Sequence, residues 1–190
     1  QEHRQKATNP YIILILAVLS VSTSSIFVRY SDAPAMVISA YRMLFTLLMI
    51  GPVVLVKHRE ELAKIGGRDM LYAIASGFFL ALHFATWITS LKLTTVSAST
   101  VLVQMSPIFV VAGSFIFFKE SSAFVGITDF KVGGTALMGD FLALAGALFI
   151  AGYLLIGREL RKRITLLPYT FIVYGSCTLF LVLGCILMGI

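Results

Sequence analysis

The chain has 190 residues, of which 58% are hydrophobic and only 13% charged, and its mean hydropathy is +0.95. A water-soluble domain of this size cannot bury so much apolar surface, so the composition excludes that class and predicts several helices in lipid. The formal charge of +6 does not indicate a nucleic-acid partner, because the basic residues fall in short loops, where they act as orientation signals.

Six apolar stretches are long enough to cross a hydrocarbon core of ~30 Å, which takes about 20 residues of helix. Each must be helical, because lipid cannot satisfy open backbone groups. The sequence therefore predicts an all-α polytopic membrane protein, a helical bundle of six transmembrane helices. The predicted spans lie near residues 11–29, 35–56, 70–90, 95–118, 136–157 and 168–190.

The second half of the first span is rich in small hydroxylated residues, namely Ser20, Ser22, Thr23, Ser24 and Ser25. Such residues let membrane helices approach closely and form hydrogen bonds across the contact. The alternative is that they line a polar cavity, and under that interpretation Ser24 is a candidate substrate-binding residue.

The second span carries a charged residue, Arg42, about two turns inside its start. One interpretation is that the side chain snorkels to the membrane interface. The other is a functional charge that faces the interior of the bundle, which makes Arg42 a candidate gating or structural residue. The loop 57–69 that follows is long enough for a short surface helix, but a solvated loop is the preferred interpretation.

The third span contains the one histidine within a predicted span, His83, and the one tryptophan of the chain, Trp87. Together with Ser76 and Ser90 they fall on one helical face, at steps of seven, four and three residues. His83 either contributes to a binding site or is a packing residue. Trp87 either contributes to the same site or belongs to the aromatic belt at the membrane interface, since it lies near the end of the span.

The fourth span places Ser97, Thr100 and Gln104 on one helical face, with Pro107 near the middle of the helix. Proline removes a backbone hydrogen bond and favours a kink that exposes a carbonyl one turn earlier. A kink beside a deep glutamine is typical of a gate or site, although membrane helices also tolerate proline without such a role.

The fifth span combines small residues that suit tight helix packing with one deep polar side chain, Tyr153, and ends in the basic cluster 158–163. The last span contains Cys177 and Cys185, which are too far apart for a disulfide within one helix. Both are expected to be buried as small apolar residues.

The basic loops do not agree with six crossings. With the N-terminus in the cytoplasm, loop 57–69 is cytoplasmic after two spans, as the positive-inside rule prefers. The fifth span would then carry the cluster 158–163 to the outside, against that rule. One additional crossing between Glu120 and Asp129 would restore agreement. We therefore expect that about 20 residues of membrane helix are missing there, and that the chain is part of a longer protein.

Three segments of the chain are specific enough to be compared with a known family, namely SSIFVRYSDAPAMVISAYRMLF, LKLTTVSASTVLVQMSPIFVVAGSFIFFKE and GDFLALAGALFIAGYLLIGRELRKR. Their most specific features are Pro107 in the middle of its helix, Lys119-Glu120 at the end of that helix, and Arg42 eight residues after Pro34. In these features the chain resembles the EamA-type branch of the drug/metabolite transporter superfamily.

The resemblance implies ten helices arranged as two inverted five-helix repeats, with a central cavity and alternating access. Residues 1–135 then correspond to helices one to four of the first repeat, with the expected fifth helix missing after Glu120. Residues 136–190 correspond to the first two helices of the second repeat, and the last three are absent.

The resemblance also implies a secondary transporter that moves small polar metabolites, amino acids or drug-like solutes, as an exporter or facilitator. The residues themselves indicate a midplane site lined by His83, Trp87, Gln104 and Thr100, with Tyr153 facing them. The aromatic rings would offer flat walls and a cation–π surface, and the polar groups would form hydrogen bonds in a low dielectric. The alternative is a non-transporting membrane assembly subunit or an inactive transporter fragment.

The pattern of titratable residues indicates neither catalysis nor a cofactor. No Asp or Glu lies in mid-span, since Asp32 and Asp140 are near helix starts. Proton exchange would fall to His83, and facilitative transport is the preferred interpretation. A catalytic or metal site would need a cluster of acidic or histidine residues, so we predict no enzyme activity, no metal and no cofactor. The expected partners are a small-molecule substrate and the lipid bilayer, with a homo-oligomer left open.

The predicted location is the cytoplasmic (inner) membrane of a bacterium or archaeon. The protein is integral to that membrane and its N-terminus is cytoplasmic, because basic residues prefer the cytoplasmic side.

Overall fold

The computed structural model describes residues 10–118 and 135–190, and these residues form eight helices without a strand. The helices are α1 (Pro10–Tyr30), α2 (Ala35–Lys57), α3 (Arg59–Lys64), α4 (Gly67–Leu93), α5 (Val96–Val103), α6 (Ser106–Phe118), α7 (Thr135–Leu160) and α8 (Leu166–Leu187). The predicted all-α fold is confirmed. Residues 57–69, for which the sequence favoured a solvated loop, contain the short helix α3.

Within the described residues, five helical segments are long and apolar enough to span a membrane, and a shorter apolar stretch lies in α1. The protein is therefore a polytopic helical membrane protein. The five segments are Ala35–Lys57, Gly67–Leu93, Val96–Ile116, Ala136–Leu160 and Leu166–Leu187, and the shorter stretch is Leu14–Tyr30.

The chain divides after Asp32 into two compact units, of which the first contains α1 and the second contains α2 to α8. In α1 the hydroxyl of Ser20 donates to the carbonyl of Leu16, and that of Thr23 donates to Leu19. These two side chains of the hydroxyl-rich stretch are therefore satisfied within their own helix.

The second unit is organised around α4, which packs against α7 and α8, while α2 packs against α8 and α4, and α5 and α6 pack against α7. Contact between α4 and α7 is close because α7 presents small residues. Ala143 and Ala147 are completely buried, and an added Cβ on Gly146 would lie 3.4 Å from the Cβ of Trp87. The small-residue face predicted for the fifth span is thus the face that packs on α4.

The two basic segments lie at the same end of the second unit. The Arg163 guanidinium donates to the Asp69 carboxylate at 3.2 Å. The backbone N–H and the hydroxyl of Thr165 both donate to the Glu61 carboxylate at 2.7 Å. The start of α4 and the end of α7 therefore meet at one end, which we call the basic end.

The contacts of α7 also fix the directions of α5 and α6. At its start, an added Cβ on Gly139 would lie 2.9 Å from the backbone N of Thr94, which precedes α5. Near its end, Arg158 lies 3.5 Å from Ser114 of α6. The end of α6 is thus at the basic end and the start of α7 at the opposite end. The helix predicted to be missing after Glu120 lies outside the described residues.

The fourth span is interrupted where the sequence predicts a kink. Helix α5 ends at Val103, Gln104 and Met105 form a turn, and α6 begins at Ser106. Because Pro107 has no N–H, the Val103 carbonyl lacks the donor that an α-helix would provide four residues later. The proline therefore accompanies a two-residue break in the helix and not only a bend.

We predict that Gly77→Ala destabilises the contact between α4 and α8. An added Cβ would lie 2.7 Å from the backbone carbonyl oxygen of Val173, which cannot rotate away. We expect a loss of about 1–3 kcal/mol in the free energy of unfolding, measured by thermal unfolding in detergent. The matched control is Gly67→Ala in the same helix, which has no atom within 4 Å of the new methyl group. Equal stability of the two variants would contradict the close approach.

We predict that Glu61 makes stability at the basic end depend on acid pH. The backbone N–H of Thr165, followed by its hydroxyl, holds the pKa of the Glu61 carboxyl below its ordinary value. Because the folded pKa is lowered, this stabilisation is present above the ordinary glutamate pKa of about 4.3 and is lost as the pH falls through the lowered value. Thermal unfolding of wild type between neutral and acid pH should therefore show a larger loss than Glu61→Gln.

The control for this pH series is Glu60→Gln, which removes the neighbouring carboxylate of the same helix. This variant should retain the wild-type dependence. If Glu61→Gln keeps the wild-type dependence of thermal stability on pH, another group is responsible for that dependence.

Candidate functional site

His83 and Trp87 form a buried stack on the face of α4 that packs on α7. Their side chains are only 8% and 7% exposed, and their rings are 5.7 Å apart at an angle of 14°. Nδ1 of His83 lies 2.9 Å from the carbonyl oxygen of Gly146. Because a carbonyl can only accept, Nδ1 must carry the proton. The close approach of α7 at Gly146 therefore holds the stack in one orientation.

Arg42 reaches this stack from α2. Its guanidinium carbon lies 5.4 Å from the ring centroid of Phe84 and 5.9 Å from that of Trp87. Both distances are within the range of cation–π interactions. The side chain is half-buried and contacts α4, as expected of an inward-facing charge and not of a snorkelling residue. We call Arg42, His83, Phe84 and Trp87 the Arg42 cluster.

Two polar atoms of the Arg42 cluster are buried without a hydrogen-bond partner in the described part of the chain. These are Nη1 of Arg42 and Nε1 of Trp87, and both can only donate. A buried donor without an acceptor costs about 1–3 kcal/mol, and more when it is charged. The cluster therefore contains two hydrogen-bond donors that could bind an acceptor on a ligand, and both lie beside aromatic rings.

Tyr153 lies in a second polar cluster, between α4, α7 and α8. The hydroxyls of Ser76 and Tyr169 are 2.9 Å apart, and the Ser76 hydroxyl lies 3.5 Å from the backbone carbonyl oxygen of Tyr153. Ser76 precedes His83 by two helical turns. The structure thus places Tyr153 nearer the basic end than the Arg42 cluster, and not directly opposite His83.

The other predicted site residues lie in different parts of the structure. Gln104 is exposed at the break between α5 and α6, and Pro107 is exposed one turn later. Thr100 is half-buried, and its hydroxyl oxygen is buried without a partner among the described residues. Ser24 is half-buried on α1, in the separate first unit. The structure therefore brings His83, Trp87 and Arg42 together but does not bring Gln104 into their cluster.

Helix α5 buries a different face from the one that its polar residues define. Ser99 is completely buried, and its hydroxyl bonds to that of Ser90 at the end of α4. Thr95 caps the start of α5 by accepting from the backbone N–H of Ala98. This tight connection sets the rotation of α5, so that Ser97 and Gln104 point away from the protein interior.

Sequence reasoning missed Phe84, Gly146 and Tyr169. Phe84 precedes Trp87 by three residues, so the helical spacing contained a usable signal. Gly146 and Tyr169 act through contacts between helices that are distant in sequence, and spacing along one helix does not reveal such contacts.

A separate pocket of about 600 Å³ lies between α4 and α7 at the basic end. Its floor is apolar and its rim is charged. None of the predicted site residues contributes to it. It is lined by Arg68, Asp69, Tyr72, Phe79, Gly152, Leu155, Ile156, Glu159, Leu160 and Arg163.

Within residues 10–118 and 135–190, no three His, Cys, Asp or Glu side chains are grouped so that they could hold a metal ion. Cys177 and Cys185 are free and buried, as the sequence predicts. The arrangement provides donors and aromatic surfaces for noncovalent binding.

Comparison with known proteins relates the chain to membrane transporters. The model of the EamA-like transporter family matches residues 8–127. A WAT1-related protein of Arabidopsis thaliana is 28% identical over 149 residues, which are 76% of this chain and 40% of that protein. YxxF of Bacillus subtilis, described as an uncharacterized transporter, is 23% identical over 184 residues, which are 88% of this chain and 58% of that protein.

The chain therefore covers less than two thirds of the length of each of these two relatives. No solved structure matches it significantly.

We predict that Ser76 and Tyr169 are energetically coupled through their buried hydrogen bond. A double-mutant cycle with Ser76→Ala and Tyr169→Phe should give a coupling of about 0.5–1.5 kcal/mol in thermal unfolding. The control cycle pairs Ser76→Ala with Thr178→Ala, whose hydroxyl donates to its own helix. That cycle should be additive, and additivity in both cycles would contradict the bond.

Proposed function

This chain belongs to the EamA-like transporter family, and we propose that the protein moves small polar metabolites, amino acids or drug-like solutes across the membrane. The proposed mechanism is alternating access, with the protein acting as an exporter or facilitator. One relative carries the description of a transporter, which supports the class. Because the chain covers only part of its relatives, the proposal concerns the activity of the whole protein.

The observation that carries this proposal is the position of the Arg42 cluster. It lies between α2 and α4, which are both long and apolar enough to span a membrane. A charged side chain inside a membrane is costly and usually marks a path for a solute or an ion. Buried donors without acceptors, next to flat aromatic rings, are what a solute site needs before it is occupied.

We assign roles from this position. Arg42, His83 and Trp87 form the core of the substrate site, with His83 oriented by Gly146. Tyr153, Thr100, Gln104 and Ser24 remain proposed substrate contacts in other states of the cycle. The break before Pro107 is the proposed gate, because interrupted membrane helices commonly form the moving or binding segments of transporters.

The orientation in the membrane, the cellular location and the mode of transport are proposed from the positions of the charged residues. The basic end faces the cytoplasm, as does the N-terminus, and the membrane is the cytoplasmic membrane of a bacterium or archaeon. Transport is facilitative, because the described spans hold no acidic residue near their middle that would carry protons. No cofactor is needed for this activity.

We predict that Trp87→Ala lowers transport by about tenfold or more, because it removes an aromatic surface from the site. The full-length protein is reconstituted in liposomes, and uptake is measured for amino acids, nucleosides and cationic drugs. The matched control is Tyr72→Ala, which removes an exposed aromatic ring near the other end of α4 and should keep the wild-type rate.

Two outcomes would contradict the proposal in different ways. If the well-folded full-length protein moves no solute of any class, the transporter function is wrong and a non-transporting subunit is favoured. If Trp87→Ala keeps the wild-type rate, the site assignment is wrong while the class stands.

A further inference from the structure

We propose that the Arg42 cluster binds the carboxylate of an organic anion. This inference rests on the proposed function and names the substrate class of the same site. Its starting point is the pair of buried donors, Nη1 of Arg42 and Nε1 of Trp87, which have no acceptor among the described residues. Two unpartnered donors on neighbouring side chains, one of them charged, select a ligand that accepts hydrogen bonds and carries negative charge.

The described helices that pack around the cluster do not pair a negative charge with Arg42. Helices α2, α5, α6 and α8 contain no Asp or Glu. In α4 and α7, Asp69 and Glu159 lie at the basic end, where each pairs with a basic residue. The remaining acid of these two helices, Asp140, forms no ion pair with Arg42. Within residues 10–118 and 135–190 the guanidinium therefore has no counter-ion, which is unfavourable unless a ligand provides one.

The Arg42 cluster lies deep within the membrane-spanning helices, as expected of a transport site. Arg42 is seven residues after the start of α2, or about 10 Å at 1.5 Å per residue. Trp87 is six residues before the end of α4, and the two ends lie together because Lys92 donates to the carbonyl of Ala33. Both donors are therefore well inside the membrane-spanning segments.

The aromatic rings of the cluster do not favour a cationic ligand. The sequence alone predicts that the aromatic surface would attract a cationic solute. In the structure the protein's own cation, Arg42, lies over the rings of Phe84 and Trp87. A second cation there would be repelled, whereas a carboxylate would pair with the guanidinium and leave its apolar part against the rings.

The chemistry of the carboxylate matches the two donors. A guanidinium presents its N–H groups in a planar fork that suits the two carboxylate oxygens. The indole N–H adds a single donor. A neutral amide of the same shape would accept fewer of these hydrogen bonds, and an ammonium group would accept none.

The test compares three solutes of matched size, namely butyrate, butyramide and butylammonium. Binding to the purified full-length protein is measured with radiolabelled butyrate, with the other two as competitors. We expect butyrate to bind, and the other two to compete at least about tenfold more weakly.

Variants of Arg42 test the assignment to the cluster. Arg42→Gln should lower butyrate affinity by about tenfold or more, and Arg42→Lys should lower it less, because the charge remains while the fork is lost. The matched control is Arg68→Gln, which removes an exposed arginine that also lies over an aromatic ring, that of Tyr72. This control should bind like wild type. Arg42→Lys keeps the test valid if Arg42→Gln does not fold.

Three results would overturn the proposal. These are equal competition by butyramide, full butyrate affinity in both Arg42 variants, and displacement of butyrate by chloride at equal concentration, which would indicate a site for small inorganic anions. Because these are binding measurements, they are independent of transport. Butyrate binding without transport would leave the carboxylate site standing, and transport without butyrate binding would leave the transporter function standing.

Discussion

The second unit depends on the close approach of α4 and α7. Lipid provides no hydrophobic drive to bring two membrane helices together, so their contact must come from packing and from hydrogen bonds. Gly139 and Gly146 let the α7 backbone approach α4. The same approach brings the Gly146 carbonyl to His83. One packing solution therefore stabilises the helix pair and orients the ring stack on which Arg42 lies.

The polar groups that stabilise the helix packing and those of the candidate site lie at different ends of α4. Toward the basic end, Ser76 bonds to Tyr169, and Asp69 and Glu159 each pair with a basic residue. Toward the other end, Arg42 and Trp87 retain donors without acceptors among the described residues. The Ser76–Tyr169 pair is thus hydrogen-bonded and the donors of the Arg42 cluster are not, which is the difference expected between a structural network and a binding site.

The sequence predicted the features that depend on local periodicity. Ser76, His83, Trp87 and Ser90 share a face by their spacing, and all four are buried. The face predicted from Ser97, Thr100 and Gln104 is not the buried face, because the tight turn and the break before Pro107 set the rotation of α5 independently of its polar residues. The contact of Arg42 with Phe84 could not be predicted either, because it depends on how α2 lies on α4, and no pattern within one helix contains that information.

The inward charge on α2 has a consequence for biogenesis. An arginine raises the free energy of insertion by ~2.5–3.5 kcal/mol at the centre of a membrane helix and by less at the depth of Arg42, two turns inside the start of α2. During synthesis α2 enters the membrane before α4 exists, so Arg42 first meets lipid without Phe84 and Trp87. The long apolar stretches on either side of Arg42 must therefore hold α2 in the bilayer until α4 arrives. Because α2 precedes α4 in the chain, α2 must be apolar enough to remain in the bilayer before α4 is made. This requirement is not visible in the folded protein, where Arg42 already contacts α4.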